Sequence, residues 1–166
     1  ASRNNTIAKI DQVNKRLHEI AGFSPYERRI RGIADLGEAA GAMEKWRYAL
    51  VYVLLPAEQK ASELAFRARA EYEALVTIVA ARRYRLEKRS YPVDLNALVH
   101  DGYLAKTPMD PYSDAPLVYR RTNDSFILYS LGADFTNDGG EPGRDKENRP
   151  KLWGVKGDVV FWPAGP

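Results

Sequence analysis

The chain has no cysteine among its 166 residues. Disulfide frameworks, cysteine–zinc sites, thiol catalysis and iron–sulfur clusters are therefore excluded. No apolar run approaches the ~18 residues needed to span a bilayer; the longest, Tyr48 to Leu55, is about half that. There are only two histidines and no glycine-rich phosphate loop. Charge is nearly balanced, 25 basic against 22 acidic residues for a net +3. That lacks the strong basic footprint of a nucleic-acid binder. The chain opens on Ala1, not Met, and reads as a mature or truncated form from which a signal peptide or membrane anchor was removed.

What is present is a globular composition with 45% hydrophobic residues, enough to bury a core. The chain divides in character near Tyr91-Pro92. Helix formers dominate before it; most prolines and glycines follow it, with alternating apolar runs. Helices first and strands afterwards predict an α+β fold. Ile7, Ile10, Val13, Leu17 and Ile20 share a helical face over Thr6 to Ala21, with Thr6 as N-cap. Ser24-Pro25 followed by Glu27 predicts a second helix reaching about Ala40. A third is expected over Glu44 to Leu55, stopped by Pro56.

The longest segment, Ala57 to about Lys88, predicts a spine helix of roughly 48 Å. Ala57, Ala61, Leu64, Ala68, Tyr72, Leu75, Val79 and Leu86 form one apolar stripe; Phe66, Ala70, Thr77 and Tyr84 form a second. The spine is expected to pack against both the N-terminal helices and a later sheet. Asp94 caps a short helix, Leu95 to Val99. Asp110-Pro111 reads as a turn. Strands are expected at Leu117 to Arg121, Ser125 to Ser130 and Asp158 to Trp162, the first two joined through Thr122-Asn123-Asp124. Two regions follow: a helical N-terminal extension, 1–56, and a second module, 57–166.

The long stretch Gly132 to Gly157 is rich in Gly, Asp, Asn and Pro, and a loop of that length is usually functional or disordered. Asp134, Asn137, Asp138 and Glu141 put hard oxygen ligands beside Gly139-Gly140, in the pattern of a cation-binding turn, and Asp158 stands ready to close the site from outside the loop. Calcium takes six to eight such oxygens. The plainer reading is a solvated Asn-Asp-Gly-Gly turn.

An ordered series of residues carries a resemblance: Arg83 to Pro92, Leu95, Leu98-Val99, Gly102-Tyr103-Leu104, Pro108, Asp110-Pro111, Tyr119, Phe126, Leu128 to Asp134, Gly139-Gly140 and Asp158-Val159-Val160. Over residues 60–163 the chain resembles the C-terminal globular part of the major pseudopilin of type II secretion systems, and related bacterial envelope proteins, notably planctomycete ones. The resemblance implies a long helix on a small antiparallel sheet and a calcium site after Ser130-Leu131-Gly132-Ala133-Asp134. It matches Asp134 directly, makes the backbone carbonyl of Leu131 a ligand, and matches Asp138 and Asn137 less closely. The stretch before Gly139-Gly140 is longer here, as is the basic segment Arg144 to Lys156. Nothing in residues 1–56 matches the hydrophobic anchor helix of pseudopilins.

Other candidates have plainer readings. His18 and His100 lack a relay partner in sequence. Ser130 is not in a nucleophile elbow. Arg82, Arg83, Arg85, Lys88 and Arg89, with Tyr84 and Tyr91 interleaved, read as a solvated face matched to the helix dipole, or as a contact for an acidic partner. Glu63 and Arg67 read as an i,i+4 pair. Trp162 is expected over the core, and Trp153 exposed as a binding anchor. The expectation is a non-enzymatic, extracytoplasmic structural protein that assembles with itself or with protein partners, without nucleic acid, and touches a membrane only through an anchor lost upstream. The alternative is an envelope ligand-binding domain with a groove floored by Trp46, Tyr48 and Tyr52.

Overall fold

The computed structural model of the 166-residue chain describes residues 7–8, 11–12, 15, 18–33, 49–154 and 156–163, with side chains omitted over 49–58. The chain forms two compact units, Ala1–Arg67 and Ala68–Pro166.

In the first unit, the described residues between 7 and 21 are helical, apart from which Ile10, Val13, Leu17 and the Thr6 cap lie outside the described residues. Ile20 is fully buried, whereas Ile7 is exposed. Helix α1, Pro25–Ile30, starts as expected. The Ser24 hydroxyl accepts from the Glu27 N–H at 3.0 Å, and the Glu27 carboxylate accepts from the Ser24 N–H at 2.9 Å. The helix ends at Ile30, and residues 34–40 of the expected stretch lie outside the described residues. Gly32 takes φ +67°, its N–H bonds the Arg29 carbonyl, and the Ile33 N–H bonds that of Arg28. That reversed double bond closes the helix end, and only glycine enters it without strain.

Helix α2, Ala49–Lys88, is a single 40-residue helix. The two helices expected on either side of Pro56 are thus one. Proline removes one N–H, at a cost of about 3 kcal/mol, but the good helix formers Leu54, Leu55, Ala57, Glu58 and Gln59 flank it. Residues 44–48 lie outside the described residues. In the first unit, Arg28 reaches this helix. Its guanidinium donates to Ser62 Oγ at 2.7 Å and lies 5.5 Å from the Phe66 ring centre. The expected Glu63–Arg67 ion pair is present.

In the second unit, the buried residues of α2 are Ala70, Ala74, Thr77, Ala80 and Ala81. The Thr77 hydroxyl is satisfied by the Glu73 carbonyl at 2.6 Å. Of the two stripes expected to pack, the second lies inward through Ala70, Thr77 and the half-buried Tyr84, and the first faces outward in this unit: Tyr72 is 65% exposed, Leu75 60%, Val79 59% and Leu86 76%. Small residues win the inner face because they let the helix backbone approach the sheet, and the volume between is filled from the sheet side.

Helix α3, Leu95–His100, runs one residue beyond expectation. Asp94 caps it by accepting from the Ala97 N–H at 2.8 Å. Leu95 and Leu98 point into the core. Strands β1, Met109–Asp110, and β2, Ala115–Pro116, pair antiparallel around the Asp110-Pro111 turn. That small ladder is not predicted from the sequence. Strands β3, Val118–Arg121, β4, Phe126–Ser130, and β5, Val159–Trp162, form the expected antiparallel sheet in the order β3-β4-β5. The fold is mixed helix and sheet, compatible with α+β. Phe126 sits at the centre of this core, stacked on Tyr119 and Trp162 with ring centres 5.3 and 5.5 Å away and met edge-on by Tyr91 at 5.0 Å. Among the described residues, no helix is long and apolar enough to cross a membrane.

Candidate functional site: the loop between strands β4 and β5

The loop leaves β4 over a buried carboxylate. Asp110 is fully buried. Its Oδ1 accepts from Ser130 Oγ at 2.8 Å and the Tyr112 N–H at 3.0 Å; its Oδ2 accepts from the Leu131 N–H at 3.0 Å and Ser113 Oγ at 3.3 Å. Ser130 Oγ in turn accepts from the Gly132 N–H at 3.1 Å. Four donors satisfy both oxygens of this carboxylate in a dry site. They also fix the direction in which the chain leaves the sheet. No local pattern marks Asp110 for this role, because Ser130 at the end of β4 and Leu131 just past it lie about twenty positions downstream.

Gly132 takes φ +71° and a Cβ there would meet Val159 Cγ2 at 3.1 Å and the Gly157 carbonyl at 3.2 Å. The chain then makes a short 3-10 turn, Gly132–Asp134, with Phe135 in the left-handed region at φ 60°. This turn sets Asp134 against the other end of the loop. Asp134 Oδ2 accepts from the Gly157 N–H at 2.9 Å, and Oδ1 from the Thr136 N–H at 3.1 Å. Asn137 Oδ1 accepts from the Tyr129 hydroxyl at 2.9 Å and the Gly139 N–H at 3.0 Å. Asp138 and Glu141 have exposed side chains.

Asp158 closes the loop from the strand side, where it was expected. It is 1% exposed. Oδ2 accepts from the Gly140 N–H at 2.7 Å and the Asp138 N–H at 3.1 Å. Oδ1 is buried without a hydrogen-bond partner. Burial pushes this carboxyl above its ordinary pKa; the two amides oppose the shift, and the negative charges of Asp138 and Asp134 add to it. The structure thus brings Asp134, Asp138 and Asp158 into one electrostatic neighbourhood. Leu131 lies at the loop's start, and Asn137 is tied to Tyr129. Among the described residues, no group of three or more His, Asp or Glu side chains is drawn tightly enough together to hold a metal ion. The carboxylates bind backbone amides instead.

The rest of the loop folds onto itself. Gly143 N–H bonds the Asp158 carbonyl at 3.3 Å, and the Lys151 N–H bonds the Gly143 carbonyl at 2.7 Å. Asp145 gathers the Glu147 and Arg149 amides and the Arg149 guanidinium at the tip. Trp153 is not the exposed anchor expected. It is half-buried, 5.3 Å from the Tyr112 ring and 6.4 Å from Phe161 between centres, and donates Nε1 to Glu71 at 2.6 Å. Trp162 covers the core as expected and donates to Ser125 Oγ at 3.2 Å.

The remaining candidates have surface roles. His18 is exposed, and His100 pairs with Asp101 at 2.9 Å on the surface. In the basic run, Arg83 pairs with Glu87 at 3.0 Å, Arg85 lies over Tyr91 and Arg82 over Trp162. Trp46 and Tyr48 lie outside the described residues, as does the side chain of Tyr52. No family model, curated protein or solved structure matches the chain.

Proposed function

We propose that this chain is a non-enzymatic, extracytoplasmic assembly protein whose second unit is a pseudopilin-like module ordered by calcium. The observation that carries the reading is the buried Asp158 Oδ1, which has no hydrogen bond and stands near the charges of Asp134 and Asp138. An orphaned carboxylate oxygen in a negative, oxygen-rich loop is the kind of donor a hard cation takes. The donor set fits the ion in kind: Asp158 Oδ1, the carboxylates of Asp134 and Asp138, and the Leu131 carbonyl. Asn137 acts beside them, holding the loop to Tyr129. A bound cation would supply positive charge that offsets the repulsion among three carboxylates. The chain's own residues do the rest. Asp110 fixes the exit from β4, Gly132 permits the turn, and Asp158 and Asp134 pin the two ends of the loop together.

A site with few carboxylates belongs with the weaker calcium modules that work outside the cytoplasm. The tie to protein secretion rests on the resemblance to the major pseudopilin. The test is thermal unfolding with excess calcium and with chelator, on the wild type, Asp158→Asn and Asp134→Ala. Calcium is expected to stabilise the wild type by about 2.7 kcal/mol at a hundredfold excess over its dissociation constant. Both variants lose most of that gain. A wild type indifferent to calcium would leave the loop a self-contained turn.

A further inference from the structure

We infer that the outward face of α2 in the second unit is a self-complementary seam that pairs antiparallel with α2 of a second copy of this chain. This goes beyond the loop reading and stands without it. The outward residues recur at a strict seven-residue period. Tyr72, Val79 and Leu86 occupy one position of the heptad, and Ala68, Leu75 and Arg82 occupy the position four before or three after. All six are exposed. The face that meets the protein's own core, Ala70, Ala74, Thr77 and Ala81, lies roughly 150° away around the helix at ~100° per residue. Apart from Arg82, whose guanidinium also lies 5.5 Å from the Trp162 ring centre at the seam's edge, the seam is surplus to the internal packing of this unit. A run of exposed Tyr, Leu, Val and Leu at heptad spacing is the pattern of a helix–helix contact.

The strip is its own partner. A two-fold axis beside Thr77 places Leu75 opposite Val79, Tyr72 opposite Arg82, and Ala68 opposite Leu86, each pairing made twice. The layers match: branched aliphatic on branched aliphatic, ring against cation, small against large. Val76, also partly exposed, meets its own copy next to the central layers. On the flanks, Glu71 of one copy faces Arg85 of the other, a complementary pair of charges whose members each keep a contact within their own copy, Glu71 with Trp153 and Arg85 with Tyr91. The one like-charge approach, Arg69 to Arg83, is relieved by the pairing of Arg83 with Glu87 at 3.0 Å. A parallel arrangement would instead set Arg82 against Arg82 and leave Ala68 against Ala68, a void.

The experiment uses the absence of cysteine. Sedimentation equilibrium of the full chain from micromolar to millimolar concentration, in calcium and in chelator, should give a monomer–dimer equilibrium in both. Leu75→Glu, on an exposed position, should keep the far-ultraviolet circular dichroism and lose the dimer. Leu75→Cys and Val79→Cys chains, mixed and oxidised, should cross-link chiefly to each other. A monomer at every concentration overturns the proposal. So does a dimer untouched by Leu75→Glu, or a preference of Val79→Cys for itself, which would mark a parallel pair. A dimer that forms equally in chelator keeps the seam separate from the fate of the calcium reading.

Discussion

Asp158 and Asp110 are both buried carboxylates of the second unit, and their surroundings assign them opposite roles. Asp110 receives four donors and is satisfied. Asp158 receives two on one oxygen and none on the other. Its pKa is raised chiefly by burial. Folding therefore favours its protonated form. That contribution to stability is complete below the ordinary carboxylate pKa and is lost as pH rises through the raised value. In chelator, the difference in unfolding midpoint between wild type and Asp158→Asn should fall as pH climbs from the acid side toward neutrality. With calcium saturating, the same difference should rise, because the cation needs the ionised form. Taking the difference cancels Glu87, Asp101 and Asp145, whose lowered pKa values act in the opposite sense. Of this residue-scale picture, the meeting of Asp134, Asp138 and Asp158 was legible in sequence, from carboxylates in a glycine-bearing loop and at the head of the last strand. Asp110 was not. Nothing in the neighbourhood of an Asp-Pro turn points to a serine on a distant strand.

At the scale of elements, the three strands of the sheet were legible because Val118 to Arg121, Phe126 to Ser130 and Val159 to Trp162 have β-branched and aromatic residues bounded by turn formers. The spine was legible as a helix with two apolar stripes, but not which of them is inside. The stripe through Ala70, Thr77 and Tyr84 meets the core, with Ala74, Ala80 and Ala81 beside it, while leucine at 75 and 86 on the other stripe faces out. Close helix–sheet approach selects small side chains, and hydrophobicity alone does not report approach distance. The consequence is measurable. Ala74→Leu should destabilise by about 1–3 kcal/mol through overpacking. Leu75→Ala, at concentrations where the chain is monomeric, should shift stability by no more than about 0.5 kcal/mol. Urea unfolding of the two variants decides which face is inside. Helix ends divide in the same way. The Ser24–Glu27 start of α1 is written in its residues, while Pro56 is a stop signal overridden by strong formers on both sides.

At the scale of the whole molecule, one compact unit ends at Arg67 and the other begins at Ala68, within α2. A ligand for the β4–β5 loop acts on the second unit. Hydrogen exchange should therefore slow on adding calcium at the amides of Asp138, Gly140 and Gly157, which the carboxylates already hold, and stay unchanged in α1. Protection spread evenly across both units would instead indicate general ion binding. The loop itself is closed by three glycines. A Cβ on Gly143 would meet the Lys156 carbonyl at 2.5 Å, one on Gly154 would meet Gly143 Cα at 3.2 Å, and one on Gly157 would meet Gly143 N at 2.7 Å. Their clasp isolates the Asp145–Arg149 tip from the carboxylates below. The tip is consequently a natural graft point: a foreign peptide spliced between Lys146 and Asn148 would be carried outward on a fixed base, while the clasp beneath it tolerates neither side chains nor changes in length.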